Sequence, residues 1–327
     1  MGKYHNHLDM NLENSCYTKI IKQVPEGSNV LEFGPAEGLV TQYLSQEKGC
    51  HVFIVEIDKS SFEQAMQFSE RGILGDIEEY AWEQEFRDVA FDCVIFSDVL
   101  EHLRNPLEVL NRTKPLLKTD GMVLTSIPNI AHNDILLKLC EDRFDYTNIG
   151  LLDSTHIHFF AYNNICEIFE TSGFAIVKED WVESKTFHTE QATKDESAGA
   201  FLRESFYQRP CGEIYQFIMT ARKREYVETY HVKLQMPIRE RIENISFVEI
   251  PDYPLLLQEK KELIEQKENY IGEQREQLSE RDREIMELKG TIEQIESSYS
   301  YRIGLSITYL PRMIRKWIHR DKENMNG

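Results

Sequence analysis

Short apolar segments alternate with segments of helical character through the first two-thirds of this 327-residue chain. The apolar segments are rich in β-branched and aromatic residues, and they lie at 29–33, 51–57, 91–96 and 121–127. The helix-compatible stretches between them lie at 39–48, 61–71 and 106–117. Continuously apolar strands that alternate with helices are typical of a parallel sheet that is covered on both faces. The alternation therefore predicts a doubly wound α/β domain.

Strand-like segments continue after residue 127. Two further candidates lie at 174–178 and 213–221, and the polar stretch at 183–210 between them is typical of an insertion or lid. The character of the chain changes after residue 222, so we predict a domain over 1–222. Residues 223–254 show no clear period and are predicted to form a connector.

Residues 255–297 contain no proline and carry an apolar residue at every seventh position. This spacing predicts a long helix with a coiled-coil seam, formed by Leu257, Ile264, Ile271, Leu278, Ile285 and Ile292. The second seam position is polar at first and becomes apolar at Leu288 and Ile295. We expect homo-oligomers through 255–297, and the alternative is a single solvated helix.

The last segment, 298–327, is a basic tail. Between 299 and 320 there are five Lys or Arg and no acidic residue, and apolar residues recur at helical spacing. A basic amphipathic segment with Trp and Tyr is typical of peripheral membrane contact, while Pro311 would break or kink a helix midway. The alternative is that this segment packs onto the protein's own domain.

The charge and the cysteines exclude several classes of protein. With 56 acidic and 37 basic residues the formal net charge is −19, which argues against a nucleic-acid-binding surface. The six cysteines form no CxxC pair, which is typical of reduced thiols rather than disulfides or a zinc site. No apolar run reaches the roughly 18 residues of a membrane span, and the N-terminus lacks a signal-peptide core. We expect a cytoplasmic protein, with the inner face of the membrane as the place where the tail would dock.

The sequence VLEFGPAEG at 30–38 is the most informative motif of the chain. A strand ends in the acid Glu32, and a turn containing Gly34 and Gly38 leads into a helix. Glycine lets the backbone approach a ligand closely, and doubly wound sheets bind ligands at the carboxyl ends of their strands. The turn lacks the GxGxxG pattern of dinucleotide-binding proteins, because two of the three glycine positions hold other residues.

Carboxylates follow the next strands at the same edge of the predicted sheet. Glu56 and Asp58 come after the second strand, where a carboxylate is placed to accept hydrogen bonds from two ribose hydroxyls. Asp76 ends a probable further strand between 51–57 and 91–96, which makes 91–96 the fourth strand of the chain. An acid at this position is placed to accept a hydrogen bond from the exocyclic amine of an adenine. Asp98 follows the fourth strand, at the edge of the same crevice.

Together these motifs resemble the class I S-adenosylmethionine-dependent methyltransferases, in a subgroup related to ubiquinone-biosynthesis and glycan-type enzymes. The resemblance covers about residues 12–222 and rests on LEFGPAEG, VEID, GDIEE, FDCVIFSDVLEHLRNP, LLKTDGMVLTSIPN, THIHFF and FETSGF. It implies a Rossmann-like sheet of about seven strands whose last strand is antiparallel, a position that 213–221 is suited to fill. It also implies S-adenosyl-L-methionine as the cofactor.

The resemblance assigns cofactor-binding roles to particular residues. The candidates are Glu32, Gly34, Gly38, Glu56, Asp76 and Asp98. The first three would hold the amino-acid end of the cofactor, Glu56 its ribose and Asp76 its adenine. The family often has a glycine where this chain has Ala36.

The motif SDVLEH at 97–102 resembles an acid-x-x-Glu-His motif that holds a divalent ion in some ubiquinone-pathway relatives. Its candidate ligands are Asp98, Glu101 and His102, and such a set suits Mg²⁺ or Mn²⁺ only moderately. The alternative, which we favour over a metal, is that Glu101 and His102 cap and orient the following helix.

Methyl transfer from a sulfonium is an in-line displacement, so the enzyme mainly aligns the reactants. A hydroxyl acceptor also needs a base with a pKa near 7 to remove its proton. The sequence DSTHIHFF at 153–160 offers His156 and His158, and the resemblance favours His156 because the histidine after Thr recurs in the family. The candidate catalytic residues are therefore His156 and, second, His102. The alternative for His156 is a structural histidine beside aromatic residues.

Missing motifs narrow the acceptor. The Asp/Asn-Pro-Pro-aromatic motif of nucleic-acid amino-methylating enzymes does not follow the fourth strand, and no Pro-Cys pair follows that strand to supply a cytosine-C5 nucleophile; the pair Pro210-Cys211 lies elsewhere in the chain. The first hypothesis is O-methylation of a saccharide or surface-polysaccharide precursor, by analogy with proteins that follow a methyltransferase with a coiled coil and a basic end. The alternatives are a quinone-like small-molecule acceptor, or a non-catalytic cofactor-binding scaffold assembled by the coiled coil.

Overall fold

The computed structural model of the protein describes residues 8–192, 206, 209–244, 253–298, 303, 304 and 313. The chain divides into two compact units, Met1–Ser246 and Phe247–Gly327. The first unit contains the sheet and the candidate site, and the second contains the long helix.

One seven-stranded sheet organises the first unit. Its strands are β1 (Asn29–Phe33), β2 (His51–Glu56), β3 (Arg71–Leu74), β4 (Phe91–Ser97), β5 (Leu117–Pro128), β6 (Phe174–Glu183) and β7 (Ile214–Lys223). The order across the sheet is β3-β2-β1-β4-β5-β7-β6. Strands β1 to β5 pair in parallel, and β7 runs antiparallel to both β5 and β6. The predicted Rossmann-like sheet of about seven strands, with its last strand antiparallel, is confirmed.

Helices connect and cover the strands. The first unit contains α1 (Cys16–Gln23), α2 (Leu39–Gln46), α3 (Lys59–Ala65), α4 (Ala81–Glu85), α5 (Pro106–Thr113), α6 (Asn133–Cys140), α7 (Tyr162–Thr171), α8 (Arg224–Tyr230) and α9 (Pro237–Glu243). The helix predicted at 61–71 begins earlier, because the Asp58 side chain accepts a hydrogen bond from the Ser61 N–H and caps α3. It also ends earlier, because β3 begins at Arg71.

The continuous apolar runs of the inner strands are explained by burial on both faces of the sheet. On one face, the Phe33 ring stacks on Phe96 at a centroid distance of 4.8 Å and contacts Trp82 edge-on at 5.1 Å. On the other face, Val30 packs in a separate cluster with Ile54. Burial on both faces fixes the register of these strands, and so fixes the positions of the residues at their carboxyl ends.

The first unit extends past residue 222, where we predicted the domain to end. Helix α9 packs on the sheet, with Ile238 fully buried. The buried carboxylate of Glu179 on β6 accepts hydrogen bonds from the N–H groups of Ile238 and Arg239, at 2.8 and 3.1 Å, and from the Tyr162 hydroxyl. The first part of the predicted connector at 223–254 therefore belongs to the compact unit that carries the sheet.

The described part of the predicted insertion or lid, 183–192, is attached to α6. The Asp134 carboxylate accepts hydrogen bonds from the Phe187 N–H at 2.6 Å, the Thr189 N–H at 3.1 Å and the Thr189 hydroxyl at 2.6 Å. This segment is therefore a fixed covering beside the carboxyl end of β5. Most of the remainder, up to 208, lies outside the described residues.

The second unit contains α10 (Tyr253–Ser297), a helix of 45 residues. At 1.5 Å per residue it is about 68 Å long. The described side chains of the predicted seam are exposed along the helix. Their exposed fractions lie between 48 % at Ile285 and 60 % at Leu278. The long helix is present as expected, whereas its pairing in a coiled coil stays a prediction. The predicted tail contact through 299–320 lies outside the described residues, apart from 303, 304 and 313. No described helix is both long enough and apolar enough to cross a membrane.

Candidate active site

The turn after β1 comes close to its neighbours at two glycines. Gly34 has a φ of +63°, and a Cβ there would lie 2.9 Å from the Val99 side chain. Gly38 has a φ of +80°, and a Cβ there would lie 2.6 Å from the Cα of Ala65. Both positions combine a left-handed backbone with a close contact, which only glycine accommodates without strain. The two glycines thus place the turn and the start of α2 at the carboxyl edge of the sheet.

The carboxylate of Glu56 holds the middle of this turn. It is almost fully buried, and its two oxygens accept hydrogen bonds from the N–H groups of Ala36, at 3.0 Å, and Asp58, at 2.9 Å. Ala36 adopts a φ of +50°, so it takes up the conformation that glycine often provides in the family. Each oxygen of Glu56 keeps a second lone pair, which can accept a further hydrogen bond such as one from a ribose hydroxyl.

Glu32 lies at the floor of the turn. It is 2 % exposed, and its Oε2 atom accepts a 2.6 Å hydrogen bond from the Thr41 hydroxyl of α2. Burial raises the pKa of Glu32 to about 7, while the Thr41 bond opposes the rise. A buried carboxyl with this pKa ionises readily when a cation approaches, so it suits an ammonium group.

Asp76 lies at the end of β3, as predicted, but it is not free of partners. One oxygen accepts a 2.8 Å hydrogen bond from the Glu78 N–H, and the other pairs with the exposed Arg104 guanidinium at 2.9 Å. Arg104 also contacts the Glu78 carboxylate. The candidate adenine ligand is therefore held by an arginine that the sequence patterns did not single out.

Asp98 follows β4 with a φ of +55°. Its carboxylate accepts a 2.6 Å hydrogen bond from the Gln216 side chain of β7, and its N–H donates to the Ser126 hydroxyl of β5. Burial raises the pKa of Asp98 above its usual range. Asp98 thus connects the two strands that follow β4 in the sheet order to the candidate cofactor site.

A cavity of about 840 Å³ opens beside the turn. Of the predicted cofactor residues, Glu32, Gly34 and Asp98 line it, and Tyr17 of α1 contributes from the N-terminal segment. Gly38, Glu56 and Asp76 lie outside its lining, although Ala36, which Glu56 holds, belongs to it. The cavity brings together a carboxyl suited to an ammonium group and a turn that is fixed by a carboxylate, so these residues fit S-adenosylmethionine.

A second cluster joins two parts of the chain. Glu101 and His102 follow β4, and His156 lies on the loop from Asp153 to Phe160, which we call the histidine loop. The Nε2 atom of His156 lies 4.0 Å from Oε1 of Glu101, and the rings of His156 and His102 meet edge to face at 4.8 Å. His102 is exposed and contacts the Thr155 carbonyl at 3.2 Å. Burial, followed by the nearby His102, lowers the pKa of His156, so the imidazole is neutral at pH 7.

The predicted metal ligands do not all converge. Among the described residues, the group with metal-ligand spacing is Glu101, His102 and His156, whose ligand atoms lie within 4.8 Å of one another. Asp98 is not part of it, because its carboxylate faces Gln216. The capping alternative is wrong, because the Asn105 side chain caps the following helix α5 by accepting a hydrogen bond from the backbone N–H of Glu108. Glu101 instead holds the histidine loop, since its carbonyl accepts hydrogen bonds from the N–H groups of residues 157 and 158.

The family model of a methyltransferase domain matches residues 13–179, just over half of the chain. The chain belongs to this family. It is a methyltransferase, and the residues at the cavity fit S-adenosylmethionine as its methyl donor. No curated protein sequence matches the chain.

Three similar solved structures are methyltransferases. One, from Archaeoglobus fulgidus, is described as a SAM-dependent methyltransferase, with 18 % identity, a TM-score of 0.45, and coverage of 66 % of this chain and 95 % of that chain. The Burkholderia thailandensis 1,6-didemethyltoxoflavin-N1-methyltransferase has 17 % identity and a TM-score of 0.42, and the match covers 66 % of this chain and 81 % of that enzyme. The magnesium protoporphyrin IX methyltransferase from Synechocystis has 15 % identity, a TM-score of 0.42, and coverage of 64 % and 82 %.

Several residues of the site escaped the sequence patterns. Thr41 is the partner of Glu32, and its only sequence signal is its place three residues after Gly38, in the first turn of α2. Gln216 reaches Asp98 from 118 residues away, and Tyr17 arrives from a helix that we did not predict. For these two, no local pattern exists, because only the sheet topology brings them to the site.

Proposed function

We propose that this methyltransferase O-methylates a saccharide or a precursor of a surface polysaccharide, with His156 as the base. The observation that supports this most directly is the buried, neutral imidazole of His156 on a loop held by Glu101, beside the carboxyl end of β4 that also carries Asp98. A neutral imidazole accepts a proton from a hydroxyl acceptor at neutral pH. The exposed ring of His102 is its neighbour and tunes its pKa.

The cofactor site is the second part of the proposal. Glu32 would accept hydrogen bonds from the ammonium of the methionine portion, Glu56 from the ribose hydroxyls and Asp76 from the adenine amine. Gly34, Gly38 and Asp98 would shape the wall between these contacts. When bound, S-adenosylmethionine supplies an activated methyl group on sulfur. The residues of this chain contribute alignment and take up the proton that the acceptor loses.

A saccharide acceptor is favoured over a quinone-like small molecule by the arrangement of the chain after the first unit. A catalytic unit followed by a long helix and a basic end is suited to acting on a large or membrane-associated acceptor. This support is an analogy, so the quinone-like acceptor remains the second candidate. A non-catalytic scaffold is disfavoured, because the carboxylates of Glu32 and Glu56 and both glycines are present and hold the turn.

The proposal also includes a partner and a location, which rest on helix α10 and on the basic tail. The exposed apolar seam of α10 is proposed to pair with a second copy of the chain, because an unpaired seam of this length leaves several large apolar side chains in water. The basic segment 299–320 is proposed to contact an anionic membrane surface. The protein would then work in the cytoplasm, at the inner face of the membrane. No metal is part of the proposal.

The test of the proposed function combines cofactor binding with acceptor profiling. Calorimetry should show that the wild type binds S-adenosylhomocysteine and that Glu56→Ala loses most of this affinity, while the exposed control Glu63→Ala retains it. Transfer of a tritiated methyl group should then label a purified glycan fraction rather than a quinone fraction. Labelling of the quinone fraction alone would favour the second candidate. Equal binding by Glu56→Ala and the wild type would overturn the cofactor assignment.

A further inference from the structure

Two exposed aromatic rings lie next to a third, half-buried ring of the histidine loop. We define the aromatic platform as Phe144, Tyr146 and Phe159. The ring centroids of Phe144 and Tyr146 are 5.3 Å apart, and those of Phe144 and Phe159 are 5.8 Å apart. Phe144 is 40 % exposed and Tyr146 is 57 % exposed. The platform is therefore one connected surface of aromatic rings, rather than isolated residues.

The platform is continuous with the candidate base. The ring of Phe159 lies 6.2 Å from the imidazole of His156. A molecule whose hydroxyl reaches His156 would extend its next ring across Phe159 toward Phe144 and Tyr146. Exposed apolar surface that joins a reactive group in this way marks a binding surface more often than chance exposure does.

The loop that carries the platform is fixed before any ligand arrives. The Thr147 N–H donates to the Leu152 carbonyl at 2.9 Å, and the Leu151 N–H donates to the Glu190 carboxylate at 2.6 Å. Leu151 and Leu152 are buried with Ile135 of α6. Outward-facing rings on a loop with buried anchors are preorganised, which lowers the entropic cost of binding a partner.

The charges around the platform indicate what kind of ring it fits. Lys138 and Arg143, the basic residues that precede Phe144 and Tyr146 in the sequence, both pair with the Asp145 carboxylate. The neighbouring acids Glu141, Asp142 and Asp153 make this region acidic on balance. An acceptor that carries phosphate or carboxylate groups here would be repelled. Carboxylates accept hydrogen bonds from hydroxyls, whereas a wholly apolar ligand would gain nothing from them.

We propose that the aromatic platform is the acceptor subsite for a neutral saccharide ring, stacked on Phe144 and Tyr146 next to the unit that is methylated. Only a neutral, hydroxyl-bearing ring offers both an apolar face for the aromatic rings and donors for the surrounding carboxylates. This inference rests on the proposed function, because it places the reacting hydroxyl at His156. It adds a specificity-determining surface about one sugar unit away from that base.

The test measures saccharide binding separately from methyl transfer. The full-length protein with S-adenosylhomocysteine is mixed with the methyl glycosides of glucose, galactose, mannose and rhamnose, and binding is followed by saturation-transfer-difference NMR. At least one glycoside should bind the wild type, and the double variant Phe144→Ala with Tyr146→Ala should bind it about tenfold more weakly. Tyr146→Phe keeps the ring and should retain binding. Tyr270→Ala, which removes an equally exposed tyrosine on α10 (63 % exposed), is the matched control.

The outcomes separate this inference from the proposed function. All variants should bind S-adenosylhomocysteine equally in calorimetry and melt at the same temperature, because the two substituted rings are exposed. The platform assignment is overturned if no glycoside binds the wild type, if the double variant binds as tightly as the wild type, or if catechol competes for the rings better than every glycoside. Failure of S-adenosylhomocysteine to bind any of the proteins would instead contradict the cofactor site. Loss of glycoside binding in the double variant, with unchanged transfer by His156→Asn, would support the platform and overturn the base.

Discussion

The Nε2 atom of His156 and the Oε1 atom of Glu101 lie 4.0 Å apart, with both side chains almost completely buried. Within the part of the chain that the structure describes, neither carboxyl oxygen of Glu101 has a hydrogen-bond partner. Burial raises the pKa of Glu101 well above its usual range, which favours the protonated, neutral carboxyl group. A neutral carboxyl group does not stabilise a charged imidazolium, so it favours the neutral form of His156 that the proposed base requires.

The first prediction concerns His156 itself. His156→Asn removes the proposed proton acceptor, and we expect kcat for methyl transfer to fall by about 10²- to 10⁴-fold. Binding of S-adenosylhomocysteine should not change, because residue 156 does not line the cofactor cavity. The measurement is single-turnover transfer of a tritiated methyl group at pH 7.5. His158→Asn is the control on the same loop. A fall of less than about threefold would assign His156 a structural role.

The second prediction uses the contact between His102 and His156. A protonated His102 disfavours a second positive charge nearby and so lowers the pKa of His156. His102→Gln should therefore raise that pKa toward the ordinary value for histidine. Because the proposed mechanism needs a neutral His156, the acid limb of kcat/KM should move to higher pH in His102→Gln. The measurement is kcat/KM between pH 5 and 8, and an acid limb that stays in place contradicts the coupling.

The third prediction concerns protons released on cofactor binding. The pKa of Glu32 is raised to about 7, so near pH 6.5 the free protein carries a largely protonated Glu32. A bound ammonium group would ionise it, and the wild type should release up to about one proton on binding S-adenosylmethionine. Calorimetry in two buffers of different ionisation enthalpy gives this number. Glu32→Gln should release none, and equal apparent enthalpies for the wild type in both buffers would refute the assignment.

Glu32 also makes stability depend on pH. Its folded pKa lies above its unfolded value of 4.5, so the folded state binds more protons than the unfolded state between these values. The free energy of unfolding should therefore decrease as pH rises from about 4.5 to 7. Glu32→Gln should flatten this decrease in urea titrations, which provides a second readout that needs no cofactor.

The fourth prediction separates two costs of replacing glycine. Gly38→Ala adds a left-handed alanine and a Cβ that would lie 2.6 Å from the Ala65 backbone. We expect a loss of about 2–4 kcal/mol in the free energy of unfolding. Gly27→Ala is the control, because its φ is +69° but a Cβ there meets nothing within 4 Å. It should cost only about 1 kcal/mol. Equal losses in urea unfolding would mean that packing between α2 and α3 is not the constraint.

The fifth prediction tests the seam of α10. Ile285→Glu together with Ile292→Glu places charges in the proposed coiled-coil core, and the oligomer should dissociate to a monomer. Met286→Glu changes an even more exposed apolar residue, at 76 %, one position off the seam. This control should keep the oligomer intact. Light scattering gives the mass directly, and a wild type that is already monomeric would eliminate the coiled-coil proposal.

The sequence predicts the parts of this protein that depend on short-range patterns. The apolar run 29–33 coincides with β1, because a strand that is buried on both faces of a sheet is a nearly continuous apolar run. The turn glycines were recognisable because positive φ restricts the choice of residue. The contacts Asp98–Gln216 and Asp76–Arg104 were not recognisable, since they join residues 118 and 28 positions apart. Helices α8 and α9 were not predicted, because residues 223–254 show no clear apolar period.

Glu179 caps a helix that is distant from it in the sequence. Helix α9 has no capping side chain of its own, and the carboxylate of Glu179 on β6 takes that place across the fold, with its negative charge at the positive end of the helix dipole. A fragment that stopped at residue 222 would retain the buried carboxylate but lose two of its three hydrogen-bond donors. The smallest autonomous catalytic fragment should therefore end near residue 246, where the first compact unit ends, rather than where the sheet ends.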